Sequence, residues 1–494
     1  MHAFISTRNR NLHATSHEAV MRGLSEDGGL FFPEVLDIHI DPSDLRGMSY
    51  QEMAARIISA YLDDYSPEDI RNSVYGAYDE KFDSSEIVPL RGISAGYLMD
   101  LWHGPTSAFK DLALTVLPRL MTCACRMEDY HGTVAILTAT SGDTGKAALA
   151  GFRDVPGTAV TVFYPEDGVS PVQKRQMQTA EGNNVRVIAV QGNFDDCQRM
   201  VKEASVSEQV RNASENVRIS SANSINIGRL IPQIVYYYAS YVRLADSGAI
   251  AYGDEVSFSV PTGNFGDILA GYLAKHAGLP VRHLICASNK NHVLTDFLET
   301  GTYSTNRPFY TTMSPSMDIL ISSNLERLLF EESGHDDELI RSLMKSLNET
   351  GTFRIPEEML ASIRNTFKAS WCDEDACAGT IRNLYEQEHV LIDPHTAVAV
   401  HGMNLYREKY GTGIPCIALS TASPYKFAID VYQALTGIQH SDGFEAMRKL
   451  HEMTGEKIPA NLADLQDKPV RFTQCIARDE AMHVITERMK EIGE

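Results

Sequence analysis

The sequence has no long hydrophobic run, and its few cysteines and dispersed histidines form no familiar metal-binding pattern. No segment approaches the roughly 18 consecutive apolar residues of a membrane-spanning helix, so we expect no membrane partner. Eight cysteines are scattered along 494 residues, which favours reduced thiols over a disulfide framework or a zinc site. No two histidines within one predicted helix have the spacing of metal ligands, and we predict no bound metal.

Positive charge is also scarce. The 44 lysine and arginine residues are outnumbered by 65 aspartate and glutamate residues, which gives a net charge of −21. Nucleic acids and anionic membranes repel such a protein, so we expect neither as a partner. An anionic small molecule then needs a local site of basic groups or backbone amides. The first residues show neither an apolar signal core nor an arginine-rich presequence, and we expect a cytoplasmic location.

What the chain does contain is typical of a globular protein of two or three domains, with 43% hydrophobic and 22% charged residues. Residues 1–90 predict a mainly helical N-terminal domain. Strands and helices alternate farther along the chain, which predicts parallel strands with crossover helices. We expect a small α/β domain at 131–245 and a large α/β domain formed by 91–130 and 246–494.

One lysine occupies a position suited to a reactive amine. Lys110 follows Gly104-Pro-Thr-Ser-Ala-Phe109 and precedes an apolar segment of helical character. We expect Thr106 or Ser107 to cap this helix, which places Lys110 in its first turn. The positive helix end and the apolar Phe109 disfavour the ammonium form, and an imine-forming lysine needs a neutral amine. An ordinary surface lysine is the alternative.

A second candidate is Val260-Pro-Thr-Gly-Asn-Phe-Gly-Asp267, which joins a predicted strand to a predicted helix. Gly263 and Gly266 allow close backbone approach and positive φ, and successive amides at a helix start bind anions. We interpret the segment as a phosphate-binding loop, and the alternative is a plain turn with a cap at Asn264 or Asp267. Beside a dianion, we expect Asp267 to cap amides or to neutralise a basic neighbour.

Two further predicted strand ends carry polar side chains. Thr140-Ser-Gly-Asp-Thr-Gly145 leads into a helix, and its hydroxyls and free amides suit a carboxylate or another phosphate. A Walker A loop is excluded, because that motif requires glycine where Thr140 stands. Leu419-Ser-Thr-Ala-Ser-Pro424 places hydroxyls after another strand, and turn and cap roles are the alternative there.

The order of four motifs along the chain resembles that in fold-type II pyridoxal-phosphate (PLP) enzymes. These are the lysine motif, the Ser-Gly-Asp-Thr-Gly loop, the Gly-Asn-Phe-Gly-Asp loop and the late serine–threonine strand end. The chain is similar to threonine synthases in further segments, from its first ten residues to beyond residue 430. These are Ser6-Thr-Arg8, Asp27-Gly-Gly-Leu-Phe-Phe-Pro-Glu34, Asn223-Ser-Ile-Asn226, Ser314-Pro-Ser-Met-Asp318, Ser322-Ser-Asn-Leu-Glu-Arg-Leu-Leu-Phe330 and Asp393-Pro-His-Thr-Ala-Val398. The resemblance implies an α/β protein with two parallel-sheet domains of the tryptophan synthase β-like fold, behind a helical N-terminal segment.

The resemblance also implies roles for individual residues. Lys110 is expected to join PLP covalently and to carry protons. Thr421 is expected at the pyridine nitrogen, as a neutral hydroxyl where a carboxylate is the common arrangement. The expected contacts of the cofactor phosphate are Gly263, Asn264, Phe265, Gly266 and Asp267. The expected contacts of the substrate are Ser141, Gly142, Asp143, Thr144, Asn226 and Arg229.

The implied reaction converts O-phospho-L-homoserine and water to L-threonine and phosphate, the last step of threonine biosynthesis, in a monomer or homodimer. Ile227-Gly228 before Arg229, and Ser423 and Tyr425, differ from the residues expected in threonine synthases. A related phospho-lyase that releases phosphate and 2-oxobutanoate is therefore one alternative. A catalytically inactive PLP-binding protein is another, although Lys110 argues against it. A serine or threonine dehydratase fits less well, because the N-terminal segment matches threonine synthases better.

Overall fold

The computed structural model describes residues 3–140, 142–167 and 169–494. The strands in these ranges are β1 Phe4–Ser6, β2 Asn9–Ala14, β3 Phe31–Pro33, β4 Leu90–Ile93, β5 Gly96–Asp100, β6 Thr133–Ala139, β7 Thr158–Pro165, β8 Val185–Val190, β9 Val217–Ser220, β10 Val256–Pro261, β11 Val281–Ser288, β12 Thr302–Ser304, β13 Thr352–Arg354, β14 Phe367–Trp371, β15 Cys416–Ser420 and β16 Cys475–Ile476.

The helices of the same ranges include short and long elements, and the longest is buried α10. They are α1 Ser16–Arg22, α2 Tyr50–Tyr61, α3 Pro67–Ala77, α4 Asp111–Leu114, α5 Leu117–Met127, α6 Asp143–Gly151, α7 Pro171–Gln178, α8 Phe194–Val206, α9 Glu208–Arg211, α10 Ile227–Asp246, α11 Gly266–His276, α12 Val293–Thr300, α13 Leu325–Glu332, α14 Asp337–Thr350, α15 Glu357–Thr366, α16 Glu374–Glu388, α17 Pro394–Tyr410, α18 Ala428–Thr436, α19 Gly443–Thr454, α20 Ala460–Ala463 and α21 Ala481–Gly493. Short 3₁₀ helices cover Pro42–Leu45, Pro315–Met317, Pro424–Phe427 and Arg478–Glu480. In the described ranges, we find no helix that combines the length and the apolar character needed to cross a bilayer.

The larger of two parallel sheets has six strands in the order β14-β11-β10-β15-β5-β4. Its strands are parallel except β4, which pairs antiparallel with β5. Every residue of β10 and β15 is buried, as expected for central strands of a sheet covered by helices. Helices α11 and α17 pack against this sheet. The predicted parallel α/β architecture is confirmed.

The second parallel sheet has five strands in the order β16-β8-β7-β6-β9. Strand β16 pairs with β8, and the buried residues Ile476, Ile485 and Met489 join the core beneath this sheet. The prediction that all of 246–494 belongs with the larger sheet is therefore wrong for this last segment. A two-residue strand followed by an amphipathic helix gives no sequence signal that identifies the sheet it joins. The remaining domain boundaries stay predictions.

The N-terminal segment contains the predicted helices together with a small sheet that the sequence analysis missed. Hydroxyl and carboxylate side chains form capping boxes at α1 and α2, from Thr15 with Glu18 and from Ser49 with Glu52. Strands β1, β2 and β3 form an antiparallel sheet in the order β2-β1-β3. Strand β2 is mostly polar and β1 has three residues, so neither shows the alternation that predicts a strand.

Four strands that carry the sequence motifs end on the same side of their parallel sheets. Strands β5, β10 and β15 of the larger sheet and β6 of the smaller sheet each lead into one motif. Ligands of open α/β sheets bind outside the carboxyl ends of the strands. Helix α4, which follows β5, packs closely against α6, which follows β6, since a Cβ at Gly151 on α6 would lie 1.9 Å from the carbonyl oxygen of Leu114 on α4. Only glycine allows this approach.

Candidate active site

A cavity of about 1240 Å³ lies where these strand ends meet. Most of the predicted site residues line it, namely Lys110, Asp143, Thr144, Arg229, Gly263, Asn264, Phe265, Gly266, Asp267 and Thr421. Gly142 and Asn226 are not among the described residues that line the cavity, and Ser141 lies outside the described residues. Among the residues that the structure describes, no group of three or more histidine, cysteine, aspartate or glutamate side chains is arranged to hold a metal ion.

Lys110 directly precedes the four-residue helix α4 instead of lying in its first turn. Neither predicted hydroxyl caps this helix. The amide and hydroxyl of Thr106 instead donate to the buried carboxylate of Asp111, at 2.8 and 2.6 Å. The prediction of a hydroxyl cap is therefore wrong, because a carboxylate at the helix start organises the loop. A helix of four residues also contributes little dipole, which leaves burial as the main influence on the amine.

Hydrogen bonds hold the Lys110 segment along the segment of Thr421. The amide of Phe109 donates to the carbonyl oxygen of Thr421 at 2.8 Å, and the amide of Ser423 donates to that of Ser107 at 3.1 Å. These bonds join the chain after β5 to the chain after β15, which is its neighbour in the sheet. Lys110 and Thr421 thus lie side by side at the cavity wall, on rigid backbone.

The amine of Lys110 is buried beside one carboxylate. The residue is 8% exposed, and its Nζ lies 3.7 Å from Asp143 Oδ2 and 4.6 Å from the ring centroid of Phe109. Burial lowers the pKa of Lys110 to about 8; Asp143 opposes this shift, while Arg229 and Lys426 add to it. A substantial fraction of the amine is therefore neutral near physiological pH, as a nucleophilic lysine requires.

The loop after β10 presents backbone amides to the cavity. The carbonyl oxygen of Gly263 accepts a hydrogen bond from Ser322 Oγ at 2.7 Å, and that of Asn264 accepts two from Asn324, both at 3.1 Å. In a planar trans peptide the N–H points opposite to the carbonyl, so the next two amides point away from these partners. Phe265 adopts a left-handed φ of 62°, and the first amides of α11 have no partner within the helix. This arrangement suits an anion such as phosphate.

Asp267 does not cap amides, which rules out one of the two roles expected from the sequence; the other was to neutralise a basic neighbour. The hydroxyls of Tyr236 and Tyr237 donate to its Oδ1 at 2.5 and 3.2 Å. Burial raises the pKa of Asp267 to about 6, against the tyrosine hydrogen bonds and the cations Lys110 and Arg229. The carboxyl group of Asp267 is therefore protonated more readily than that of an exposed aspartate. Both tyrosines are fully buried in α10, and their sequence pattern gives no sign of this partner.

Arg229 and Asn226 have different surroundings, although both lie at the start of α10. Arg229 is 4% exposed, its Nη1 donates to a backbone carbonyl at 2.9 Å, and its Nε has no hydrogen-bond partner in the described structure. Asn226 instead caps the helix, because its Oδ1 accepts from the amide of Gly228 and its Nδ2 donates to the carbonyl of Val20, both at 2.9 Å. The predicted substrate contact of Asn226 is therefore replaced by a structural role.

The loop after β6 is organised by Thr140, whose Oγ1 accepts hydrogen bonds from the amides of Gly142 and Gly145, both at 2.9 Å. Helix α6 begins directly after Gly142. Its first turn places Asp143 and Thr144 at the cavity wall. The loop therefore brings a hydroxyl, a carboxylate and the positive end of a helix together, which suits the polar part of a substrate.

Asp143 has two partners that the sequence analysis did not identify. Its Oδ1 lies 2.5 Å from Lys426 Nζ and accepts a hydrogen bond from Gln173 Nε2 at 2.9 Å. Burial acts to raise the pKa of Asp143, but the ammonium groups of Lys426 and Lys110 outweigh it and hold this pKa well below its usual range. Neither partner is near Asp143 in sequence, so only tertiary structure reveals them.

His395 also lines the cavity, and its ring nitrogens are already occupied. Its Nδ1 lies 2.7 Å from Asp393 Oδ2, and its Nε2 accepts a hydrogen bond from the amide of Ser316 at 3.1 Å. The residue therefore supports the segment that faces the phosphate-binding loop, where a Cβ at Gly263 would lie 3.1 Å from the carbonyl oxygen of Ser316.

The cavity fits a phosphorylated pyridine aldehyde. It combines a partly neutral amine at Lys110, amides for a phosphate and a hydroxyl at Thr421. Two buried polar atoms, Arg229 Nε and Asp267 Oδ2, lack partners in the described structure. Unpaired buried polar atoms are costly in a finished site and indicate groups that meet a ligand.

Three family models match the chain. A model described as pyridoxal-phosphate dependent enzyme matches residues 83–422. Models described as threonine synthase N terminus and threonine synthase C-terminal match residues 3–78 and 396–485. The matched regions together include every strand end that contributes to the cavity.

Individual proteins match over most of the chain. Threonine synthase of Pseudomonas aeruginosa is 36% identical over 477 residues, which cover 95% of this chain and 95% of that protein. Threonine synthase-like 1 of Homo sapiens is 39% identical over 437 residues, which cover 85% of this chain and 58% of that protein. The chain thus spans little more than half the length of the threonine synthase-like 1 proteins. The crystal structure of PLP-bound threonine synthase from Brucella melitensis superposes with a TM-score of 0.88 at 36% identity, with full coverage of both chains.

The buried amine of Lys110 generates a direct prediction. Added PLP should give the purified protein an absorbance band from the cofactor-linked lysine. Lys110→Met should abolish it because, of the two lysines among the described cavity-lining residues, Lys110 is the one held beside Thr421. Lys146→Met is the matched control, since burial also lowers the pKa of Lys146 to about 8 but Lys146 does not line the described cavity. A band that persists in Lys110→Met, or that disappears in Lys146→Met alone, contradicts this assignment.

Proposed function

This chain belongs to the threonine synthase family of PLP-dependent enzymes, and we propose that it converts O-phospho-L-homoserine and water to L-threonine and phosphate. The single observation that carries the proposal is that the buried Lys110 and the amide loop around Asn264 line the same cavity. We also propose a cytoplasmic location and a monomer or homodimer.

The cavity supports a proposal for the residues that would hold the cofactor. Lys110 would hold PLP covalently through Nζ, the amides of 263–267 would hold its phosphate, and the hydroxyl of Thr421 would meet the pyridine nitrogen. When bound, PLP supplies an electron sink that stabilises negative charge on the carbons of an amino-acid substrate. A neutral hydroxyl at the ring nitrogen makes PLP a weaker electron sink than a carboxylate does. The reaction rate would therefore depend more on proton transfer.

Lys110 Nζ is the proposed carrier of protons. As a neutral amine it accepts a proton from the substrate Cα, and as an ammonium group it returns a proton to a later carbon. A pKa of about 8 keeps both forms accessible near neutral pH. Each positioned proton transfer contributes about 10²–10⁴-fold to the rate, so one well-placed amine can serve several steps.

Anionic groups of the substrate need local sites in a protein of net charge −21. We propose that the hydroxyl of Thr144 and the first amides of α6 receive the carboxylate. The amide of Gly142 is bonded to Thr140 Oγ1, and Gly142 is not among the residues that line the cavity, so it is no longer a proposed contact. Arg229, with its unpaired Nε at the cavity, is the proposed contact of the substrate phosphate. Ser141 remains a proposed contact on sequence grounds, and Asn226 is no longer one.

The reaction itself is tested by incubating the PLP-loaded protein with O-phospho-L-homoserine and identifying the organic product by mass spectrometry. We expect L-threonine and phosphate in equal amounts, with Lys110→Met as the inactive control. Formation of 2-oxobutanoate with phosphate supports the phospho-lyase alternative. No release of phosphate by a protein that binds PLP contradicts both and leaves a binding protein.

The role of Thr421 can be tested with a pair of variants of similar size. Thr421→Val keeps the shape but removes the hydroxyl, so PLP should still bind while kcat falls about tenfold, the effect of one lost hydrogen bond. Thr421→Ser retains the hydroxyl and should stay within a few-fold of the parent protein. Rates of phosphate release measure both. Equal kcat values for the two variants would show that the hydroxyl makes no contact that matters.

A further inference from the structure

A second buried lysine connects the segments that form the site. Lys426 lies in the 3₁₀ helix Pro424–Phe427 and is 1% exposed. Its Nζ lies 2.5 Å from Asp143 Oδ1 and donates to the carbonyl oxygen of Thr106 at 3.0 Å. Asp143 follows β6, Thr106 follows β5 and Lys426 itself follows β15. One ammonium group therefore joins three strand ends from two sheets.

The ion pair has an unusual third member. Asp143 faces two buried ammonium groups at unequal distances, with Lys426 at 2.5 Å from Oδ1 and Lys110 at 3.7 Å from Oδ2. A buried ion pair that only stabilises the fold is replaced by apolar side chains at little cost in many proteins. Here the carboxylate is the nearest anion to the amine that the proposed function requires, so the choice of its partner affects the chemistry.

We propose that Lys426 is a positioning residue for Lys110: it takes the close ion pair with Asp143 and so prevents Lys110 from forming it. The amine of Lys110 then remains available as nucleophile and proton acceptor. The inference rests on the role given to Lys110 under the proposed function, and nothing in it requires a particular substrate. Lys426 acts through Asp143 and through the loop of Thr106.

The charges around Lys110 determine the direction of the effect. Asp143 and Asp267 favour its ammonium form, whereas Arg229 and Lys426 oppose it. Loss of the ammonium group of Lys426 removes one cation and leaves Asp143 with Lys110 as its nearest cation. Both changes favour the protonated amine. Lys426 also acts to lower the pKa of the buried Asp111 carboxyl group. Thr106 holds that group by two hydrogen bonds that do not require the charge of Lys426.

The test uses the full chain without cofactor or substrate. The rate at which an acylating reagent modifies Lys110 is measured against pH by peptide mass spectrometry, with thermal unfolding as a check of the fold. We expect a midpoint near pH 8 for the parent protein and a midpoint about 1 pH unit higher for Lys426→Met. Lys426→Arg keeps the cation and should restore the parent midpoint. An unchanged midpoint in folded Lys426→Met overturns the proposal.

A second set of variants asks whether the effect passes through Asp143. In Asp143→Asn the midpoint should fall below that of the parent protein, since the nearest carboxylate is lost. Lys426→Met should then raise the midpoint pH by less in the Asp143→Asn variant than in the parent protein. An equal rise in both proteins would show that the effect of Lys426 does not pass through Asp143 and would overturn the proposal. Because the assay needs neither PLP nor O-phospho-L-homoserine, its outcome is independent of whether threonine is made.

Discussion

Burial of the Lys110 amine at the junction of two parallel sheets is the constraint on which the rest of the site depends. A charged amine is costly in such a place, and burial lowers its pKa to about 8 despite the nearby Asp143. The fold supplies the place by ending β5 and β15 side by side and β6 opposite them. Backbone hydrogen bonds between the Lys110 and Thr421 segments then fix the backbone from which the Lys110 side chain extends.

The same junction of the two sheets contains backbone amides that suit an anion and two buried carboxyl groups. The loop at 263–267, which we propose binds phosphate, presents amides to the cavity, and Ser322 and Asn324 bind the carbonyl groups of Gly263 and Asn264. The nearby Asp267 is held by two tyrosine hydroxyls, and burial raises its pKa to about 6. The pKa of Asp143 is shifted in the opposite direction, because two ammonium groups stabilise its ionised form. Two buried carboxyl groups at one cavity thus differ in acidity.

The alternation of strands and helices and the motifs at strand ends were predictable, because hydrophobic periodicity and glycine-rich turns are local properties of the chain. The resemblance to threonine synthases added Thr421 and Arg229, which line the cavity. Partners distant in sequence were not predictable. Lys426 and Gln173 meet Asp143 only after two sheets assemble. Asn226 looked like a substrate contact from its motif, but its amide is consumed by a helix cap. Strand β16 joins the smaller sheet through two residues, too few to show any periodicity.

The central claim is that one lysine amine and one backbone loop hold the two ends of the same cofactor. A crystal structure of the PLP-treated protein tests it most directly. The account predicts continuous electron density from Lys110 Nζ to the cofactor, with phosphate oxygens within about 3 Å of the amides of Asn264 and Phe265. Cofactor density joined to another lysine, or a phosphate bound away from this loop, would contradict the account.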